Sequence, residues 1–198
     1  AGEILGSKEE IKDTEANRAI EAIVGRLNAA SGEKRFEFTV SLQRNKEVNA
    51  FAAPGGFIIV TRGMLRILDN EAELAGVLGH EVGHVIRKHQ LNAIKKGAWM
   101  NLLGASASAA TAGKPSEDLI KALVGPTKEL YSRGLDKDDE FEADRIGIVL
   151  ATRAGYDPFG LPSALQTLAK IKPDDPYLAL LTKTHPNPGQ RLDKLGVV

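Results

Sequence analysis

Cysteine is absent from this 198-residue chain. Its absence excludes disulfide frameworks, thiol nucleophiles and metal sites built from cysteine. Any bound metal ion must therefore be held by histidine, aspartate or glutamate. Only four histidines are present, so the choice of imidazole ligands is narrow.

Long apolar runs and a net charge are also lacking. No stretch reaches the roughly 18 apolar residues of a membrane-spanning helix. The nearest, residues 98–112, is short and rich in Ser and Ala, and we expect it to form a buried helix. The 26 basic and 26 acidic residues cancel, which argues against electrostatic binding to nucleic acid or to an anionic membrane. Peripheral membrane contact of another kind stays open. The chain opens Ala1-Gly2-Glu3 with no basic region or apolar run, so no secretory signal is visible in it.

The first third of the chain predicts a helix followed by a small sheet. Apolar residues recur at helical spacing over residues 7–30, with Ser7 and Glu10 as a capping box and Ser31-Gly32 as the end. Three strands follow, at approximately residues 36–42, 48–52 and 57–61. The last two are joined by the turn signal Pro54-Gly55-Gly56. Such short connections favour a three-stranded, mainly antiparallel sheet.

The rest of the chain reads as helical. A long helix is predicted over residues 71–95, capped by Asp69 or Asn70 and closed by Gly97. Further helices are expected at residues 116–124, 138–154 and 158–171, and a short one after the proline-rich loop. No internal repeat or long linker interrupts the pattern. We therefore expect one α+β domain over residues 1–198, with the N-terminal helix (residues 1–32) packed on it.

The motif His80-Glu81-Val82-Gly83-His84 lies in the middle of the long predicted helix. Residues four apart lie about 40° apart on a helix, so His80 and His84 can bind one metal ion. Glu81 can then take a proton from a metal-bound water, whose pKa zinc lowers to about 7. Apolar neighbours argue against a chance match on a surface helix. His89 lies about 140° from His84 on this helix and is expected to be an ordinary surface or core histidine.

A catalytic zinc site needs a third protein ligand and leaves one position open. The acidic residues 138–144, at the start of a predicted helix, are the densest source of carboxylates. Glu140 and Asp144 share a helix face, so Glu140 can reach the metal while Asp144 orients a ligand histidine. Glu142 and Asp139 remain rivals of Glu140. An acidic helix N-terminus without any metal role is the plain alternative.

Together these motifs resemble the HtpX-like and CAAX-prenyl-protease-like zinc metallopeptidases, in the group whose third zinc ligand is glutamate. The resemblance rests on residues 49–56 (NAFAAPGG), 80–84 (HEVGH), 140–145 (EFEADR) and 184–191 (THP…R), which span most of the chain in the family's order. It implies a zincin-like, mainly helical fold with the small sheet against the HExxH helix. It also implies one zinc ion per chain, with Glu140 as third ligand and Asp144 hydrogen-bonded behind a ligand histidine.

Within the family, the chain is most similar to soluble bacterial members of the cell envelope, which help to clear badly assembled outer-membrane proteins. This similarity implies a periplasmic location and unfolded or misassembled envelope polypeptides as substrates. The chain departs from HtpX and the prenyl proteases because it has no convincing transmembrane helix. An intramembrane or prenylated substrate is therefore not expected.

The resemblance also assigns roles outside the metal motif. Asn49 and Ala50 resemble the edge strand that pairs with substrate, with an ordinary strand as the alternative. His185 resembles a lid residue that caps the zinc and keeps the enzyme latent. A transition-state oxyanion contact or a plain surface position are the other interpretations of His185. Arg145 and Arg191 are weaker oxyanion candidates that could equally form structural ion pairs.

The sequence thus predicts a zinc-dependent metalloendopeptidase that hydrolyses extended or misfolded proteins, with Glu81 as general base. The alternative from another functional class is a proteolytically latent, metal-stabilised chaperone or quality-control binding module.

Overall fold

The computed structural model describes residues 10–11, 15–96 and 135–196. The strands are β1 (Glu10–Ile11), β2 (Thr39–Gln43), β3 (Ala50–Ala53) and β4 (Phe57–Thr61). The helices are α1 (Glu15–Ser31), α2 (Arg62–Ile67), α3 (Glu71–Arg87), α4 (residues 89–96), α5 (Lys137–Arg153), α6 (Gly160–Lys170), α7 (Ala179–Thr184) and α8 (Pro188–Leu195). The predictions for residues 98–112 and 116–124 fall outside the described ranges.

The sheet is small and mixed, with strand order β1-β2-β4-β3. β2 runs parallel to β4, while β1–β2 and β3–β4 are antiparallel pairs. The predicted small, mainly antiparallel sheet is confirmed in part: its three predicted strands are present, but the two-residue β1 joins them and the β2–β4 pairing is parallel. The turn between β3 and β4 is where it was predicted, and Gly55 and Gly56 both have positive φ there, which glycine adopts without steric cost.

The start of α1 also differs from the prediction. Glu10 belongs to β1, which pairs with β2, and α1 begins at Glu15. Ser7, the predicted N-cap, lies outside the described residues. The predicted end is confirmed, because α1 stops at Ser31 and Gly32 follows with φ +67°. α1 packs on α3, α5 and β2. Its buried apolar residues are Ile20, Ile23, Val24 and Leu27.

α3 begins as predicted but ends earlier. The Asn70 side chain accepts a hydrogen bond from the backbone N–H of Glu73, as an N-cap does. At the other end, Lys88 adopts the left-handed conformation (φ 60°, ψ 31°), and its N–H bonds back to the carbonyls of His84 and Val85. A new helix, α4, follows. A lysine in this conformation carries no sequence signal, because non-glycine residues seldom adopt it.

α3 is the central element and is buried along most of its length. It packs against α5, α6, α1 and β3. The contact with α5 is closest at two glycines: a Cβ on Gly79 would lie 2.8 Å from the carbonyl oxygen of Gly147, and a Cβ on Gly147 would lie 2.7 Å from the backbone nitrogen of His80. Because the two backbones approach so closely, α3 lies along α5, with Gly79 beside Gly147 and Gly83 beside Ala143 toward the start of α5.

The C-terminal helices agree with the sequence pattern. α5 and α6 confirm the predictions at residues 138–154 and 158–171 to within two residues. α8 is the short helix expected after the proline-rich loop, whereas α7 was not predicted. None of the helices formed by the described residues is both long and apolar enough to cross a membrane.

Candidate metal centre

Four buried side chains meet between α3, α5 and the loop after α7. His80 and His84 come from α3, and Glu140 comes from the first turn of α5. His185 is the C-cap residue of α7. One potential ligand atom from each lies within 4.8 Å of those of the other three. The α3–α5 contact brings the first three together, because it places the middle of one helix beside the start of the other.

The spacing of the donor atoms suits one metal ion. The Nε2 atom of His84 lies 3.0 Å from Nε2 of His80 and 3.3 Å from Oε1 of Glu140. The Nε2 atom of His80 lies 3.6 Å from Oε2 of Glu140. Donors bound at 2.0–2.1 Å to a tetrahedral ion would be about 3.3 Å apart. Oε1 of Glu140 is buried without a hydrogen bond in the described part of the chain, which ligation to a cation would explain.

Glu81 lies beside this cluster with one oxygen unpaired. Its side chain is buried, and Oε2 has no hydrogen-bond partner among the described residues. Glu81, His80 and His185 line a cavity of about 20 Å³, which is enough for one water molecule. The remaining wall is mostly apolar and includes Met64, Val77, Leu161, Leu165 and Leu181. A carboxylate in this setting can act as a base toward a water in the cavity.

Asp144 and Arg191 hold the ring of His80. The Nδ1 atom of His80 lies 2.8 Å from Oδ1 of Asp144, and Nε of Arg191 donates to Oδ2 of Asp144 at 2.9 Å. Burial alone would raise the pKa of Asp144, but Arg191 and His80 lower it below its usual range. Burial and the nearby Arg191 lower the pKa of His80, which favours a neutral ring. The ionised Asp144 can only accept, so His80 donates through Nδ1 and directs the Nε2 lone pair at the cluster.

His185 contacts both the carboxylate of Glu140 and the edge of the sheet. Its Nδ1 atom lies 2.8 Å from Oε2 of Glu140, and its Nε2 atom lies 3.4 Å from the carbonyl oxygen of Ala50. Burial alone would lower the pKa of His185, but Glu140 and then Glu81 raise it above its usual value. Burial alone would raise the pKa of Glu140, but His185, His84 and His80 lower it well below the usual range. His185 therefore lies against the cluster as the hydrogen-bond partner of Glu140.

Asn49 and Ala50 lie on or next to β3, which is an edge strand in the described sheet. Both are buried. The carbonyl of Asn49 accepts hydrogen bonds from the backbone N–H and the hydroxyl of Thr61, which fixes it to β4. Its side-chain amide is buried without a partner among the residues described. The outer side of β3 is covered by His185 at Ala50.

Comparison with known proteins decides the family. Residues 10–197 match Peptidase family M48. The chain belongs to this family. The predicted resemblance to a zinc metallopeptidase family is thereby confirmed.

Named relatives support the M48 assignment. The beta-barrel assembly-enhancing protease of Yersinia pestis is 35% identical over 199 residues, which cover 92% of this chain and 38% of that protein. Mitochondrial metalloendopeptidase OMA1 of Arabidopsis thaliana is 35% identical over 149 residues, covering 75% of this chain and 28% of that protein. Metalloprotease LoiP of Escherichia coli (strain K12) is 36% identical over 132 residues, covering 64% of this chain and 50% of that protein. The chain thus spans about two-fifths of the length of the first of these M48 relatives.

The rival ligands and the weaker oxyanion candidates lie elsewhere. Asp139 and Glu142 are not in the four-residue cluster; each has a carboxylate oxygen near Nε2 of His89, at 3.7 Å and 3.0 Å respectively. Arg145 is exposed, and the guanidinium of Arg191 is bound to Asp144. Of the three candidate carboxylates Asp139, Glu140 and Glu142, Glu140 is therefore the one that faces both His80 and His84.

His89 is a core histidine, one of the two settings expected for it, but helical spacing did not predict its contact with His84. It is buried, and its Nδ1 atom lies 2.9 Å from Nδ1 of His84. The prediction placed His89 about 140° from His84 on a continuous helix. The left-handed Lys88 ends that helix, and His89, the first residue of α4, contacts His84 instead. No feature of the sequence other than the spacing His84-x4-His89 could have indicated this contact.

Proposed function

We propose that this protein is a metalloendopeptidase that holds one zinc ion with His80, His84 and Glu140 and cleaves peptide bonds in extended or misfolded polypeptides. The supporting observation is the convergence of three buried donor atoms at the spacing of a tetrahedral ion, beside a carboxylate with an unpaired oxygen. Two histidines and a glutamate form a donor set that suits catalytic zinc. When bound, zinc would polarise the peptide carbonyl and lower the pKa of water to about 7.

Glu81 is the general base in this proposal. Its unpaired Oε2 accepts the proton of the water that attacks the peptide carbonyl, and the same oxygen then gives a proton to the leaving amine. The adjoining cavity has room for about one water molecule beside Glu81, and most of its wall is apolar. Asp144 orients His80, and it is itself held by Arg191.

β3 is the proposed substrate-binding strand: the main chain of Ala50 faces the peptide, while Asn49, bonded to Thr61 of β4, holds the start of the strand in place. An extended chain that adds to this edge would be held by main-chain hydrogen bonds, which accept most sequences. Such binding selects for unfolded segments, because folded proteins seldom offer a free extended strand. The carbonyl of Ala50 lies on the side of β3 that His185 covers, so a peptide would contact it only after His185 has moved.

His185 is therefore proposed as a latch. One imidazole approaches Glu140 of the metal cluster and the carbonyl of Ala50, so it closes the fourth position of the cluster and the substrate edge together. A catalytic zinc needs that fourth position open. Opening of the loop after α7 would free both sites in one movement.

Glu81→Gln tests the proposed chemistry. The amide keeps the size of the carboxylate but cannot accept the proton, so casein digestion should fall at least about 100-fold, as expected for loss of a general base. Zinc content, measured by atomic emission, should stay at one per chain. Glu71→Gln, the same substitution on the exposed start of α3, is the matched control and should digest casein normally. Undiminished digestion by Glu81→Gln would rule out this role.

A second candidate function is a latent, metal-stabilised chaperone or quality-control module. The closed position of His185 favours it, because the described site is covered. In that case the zinc-loaded protein would bind an unfolded client without cleaving it. Client binding that is identical before and after zinc removal, with no casein fragments from any variant, would support this alternative over the protease.

The setting of the reaction is also a proposal. One relative is named a beta-barrel assembly-enhancing protease, which supports misassembled envelope polypeptides as substrates and a periplasmic location. Cell fractionation against periplasmic and cytoplasmic marker enzymes tests the location.

We further propose that residues 1–198 form one domain, since α1 packs on α3 and α5. A single cooperative unfolding transition is expected, and two separate transitions would contradict it.

A further inference from the structure

His89 lies behind one of the two α3 histidines, on the side away from the metal cluster. The Nδ1 atoms of His84 and His89 are 2.9 Å apart, and both rings are buried. On its other side, Nε2 of His89 lies 3.0 Å from Oε2 of Glu142. Glu142 is held in turn by Arg87, whose Nη2 lies 2.8 Å from its Oε1. A continuous hydrogen-bonded chain therefore runs from His84 through His89 to Glu142 and Arg87.

The direction of each hydrogen bond in this chain follows from the chemistry of its ends. A neutral imidazole has one N–H and one lone pair. Nε2 of His84 faces Glu140 and His80, so a metal there needs the lone pair on Nε2 and the proton on Nδ1. His84 then donates to Nδ1 of His89, which must accept. The proton of His89 is thereby placed on Nε2, and this N–H donates a hydrogen bond to the carboxylate of Glu142.

We propose that His89 is a positioning residue for the metal site, which fixes the tautomer and the ring orientation of His84. This inference rests on the proposed function, in which His84 binds zinc through Nε2. The two ligand histidines are then supported differently. His80 is hydrogen-bonded directly to the carboxylate of Asp144. His84 is hydrogen-bonded to the imidazole of His89, which is itself hydrogen-bonded to the carboxylate of Glu142. Partners of this kind typically change metal affinity by about 10–100-fold.

A second cation site made of His89, Asp139 and Glu142 is the competing interpretation. Potential ligand atoms of these three residues lie within 4.8 Å of one another. A cation there would need the lone pair of His89 on Nε2 and the proton on Nδ1. The Nδ1 proton of His89 would point at Nδ1 of His84, which would then have to accept. The proton of His84 would be forced onto its Nε2, the atom that faces the metal cluster. With neutral rings, the two sites exclude each other, and the hydrogen-bonded relay is the arrangement compatible with metal at His84.

His89→Leu and His89→Asn form a matched pair that tests this role. The two side chains have nearly the same shape, but only asparagine offers an oxygen that can accept from Nδ1 of His84. Zinc affinity of the full chain is measured by competition with a chelator. We expect about 10–100-fold weaker binding for His89→Leu and a clearly smaller loss for His89→Asn. Equal losses in both variants, or unchanged affinity in His89→Leu, would overturn the proposal.

A spectroscopic measurement on the unmodified protein is independent of how the variants fold. In the zinc-loaded chain with 15N-labelled histidine, the protons should lie on Nδ1 of His84 and on Nε2 of His89. A proton on Nδ1 of His89, or a second zinc ion bound at that ring, would refute the relay. If the unmodified protein binds no zinc at all, the proposed function itself fails. If it binds one zinc and only the His89 results disagree, the relay alone fails.

Discussion

At the scale of single residues, the ion pair between Asp144 and Arg191 supports the candidate metal centre. Both groups are buried, and the positive charge of Arg191 compensates the negative charge of Asp144. Arg191→Met would leave Asp144 buried without its cation, and loss of one partner of such a pair costs about 3–5 kcal/mol. Urea unfolding of the zinc-free protein measures this loss directly. A loss below about 1 kcal/mol would mean that water or another group already compensates the charge of Asp144.

The same carboxylate predicts a pH dependence of stability. The pKa of Asp144 is lowered in the folded protein, chiefly because Arg191 and His80 outweigh the opposing effect of burial. Its contribution is therefore present above the unfolded-state pKa of about 3.9 and is lost as the pH falls below that value toward the folded-state pKa. The difference in unfolding free energy between the unmodified protein and Asp144→Asn should be constant from pH 7 to 5 and shrink below pH 4. A difference that grows on acidification would contradict this assignment.

At the scale of helices and strands, the close approach of α3 and α5 determines the geometry of the site. A Cβ on Gly79 would lie 2.8 Å from the carbonyl oxygen of Gly147, so Gly79→Ala must push the two helices apart. Overpacking of this kind costs about 1–3 kcal/mol. We expect Gly79→Ala to weaken zinc binding as well, because His80 and Glu140 lie on opposite sides of this contact. Thermal unfolding and chelator competition measure the two effects.

Gly25→Ala is the matched control for that substitution. Gly25 lies within α1, and no atom comes within 4 Å of a Cβ placed there. Alanine is the better helix former, so this variant should be about 0.5–1 kcal/mol more stable, with unchanged zinc affinity. If both glycine variants behave alike, the separation of α3 from α5 is not what positions the metal ligands.

Local patterns predicted most of these elements but not how they are joined. Helical spacing and the Asn70 cap were enough for the start of α3, and residue spacing alone put Glu140 and Asp144 on one face of α5. The parallel pairing of β2 with β4 depends on tertiary packing, which alternation within a strand does not encode. The left-handed Lys88 has no sequence signature, so the contact of His89 with His84 could not be derived from helical angles.

At the scale of the whole molecule, one residue, His185, contacts both the sheet edge at Ala50 and the candidate metal centre at Glu140. His185→Ala removes the contacts with Glu140 and Ala50, so casein digestion should rise several-fold if these contacts keep the enzyme latent. Lys183→Ala, an exposed change in α7, is the control and should leave digestion unchanged. Unchanged digestion in His185→Ala would remove the latch from the proposal. A fall in digestion would favour a role of His185 in stabilising the transition state.

The most direct measurement is the zinc affinity of Glu140→Gln compared with Asp138→Asn. Both are acid-to-amide changes in the first turn of α5, but Glu140 faces His80 and His84, whereas Asp138 is exposed. Chelator competition should show that Glu140→Gln binds zinc at least about 100-fold more weakly than the unmodified chain, as expected for loss of one of three protein ligands. Asp138→Asn should bind normally. Equal zinc affinity in the two variants would contradict the three-residue metal centre.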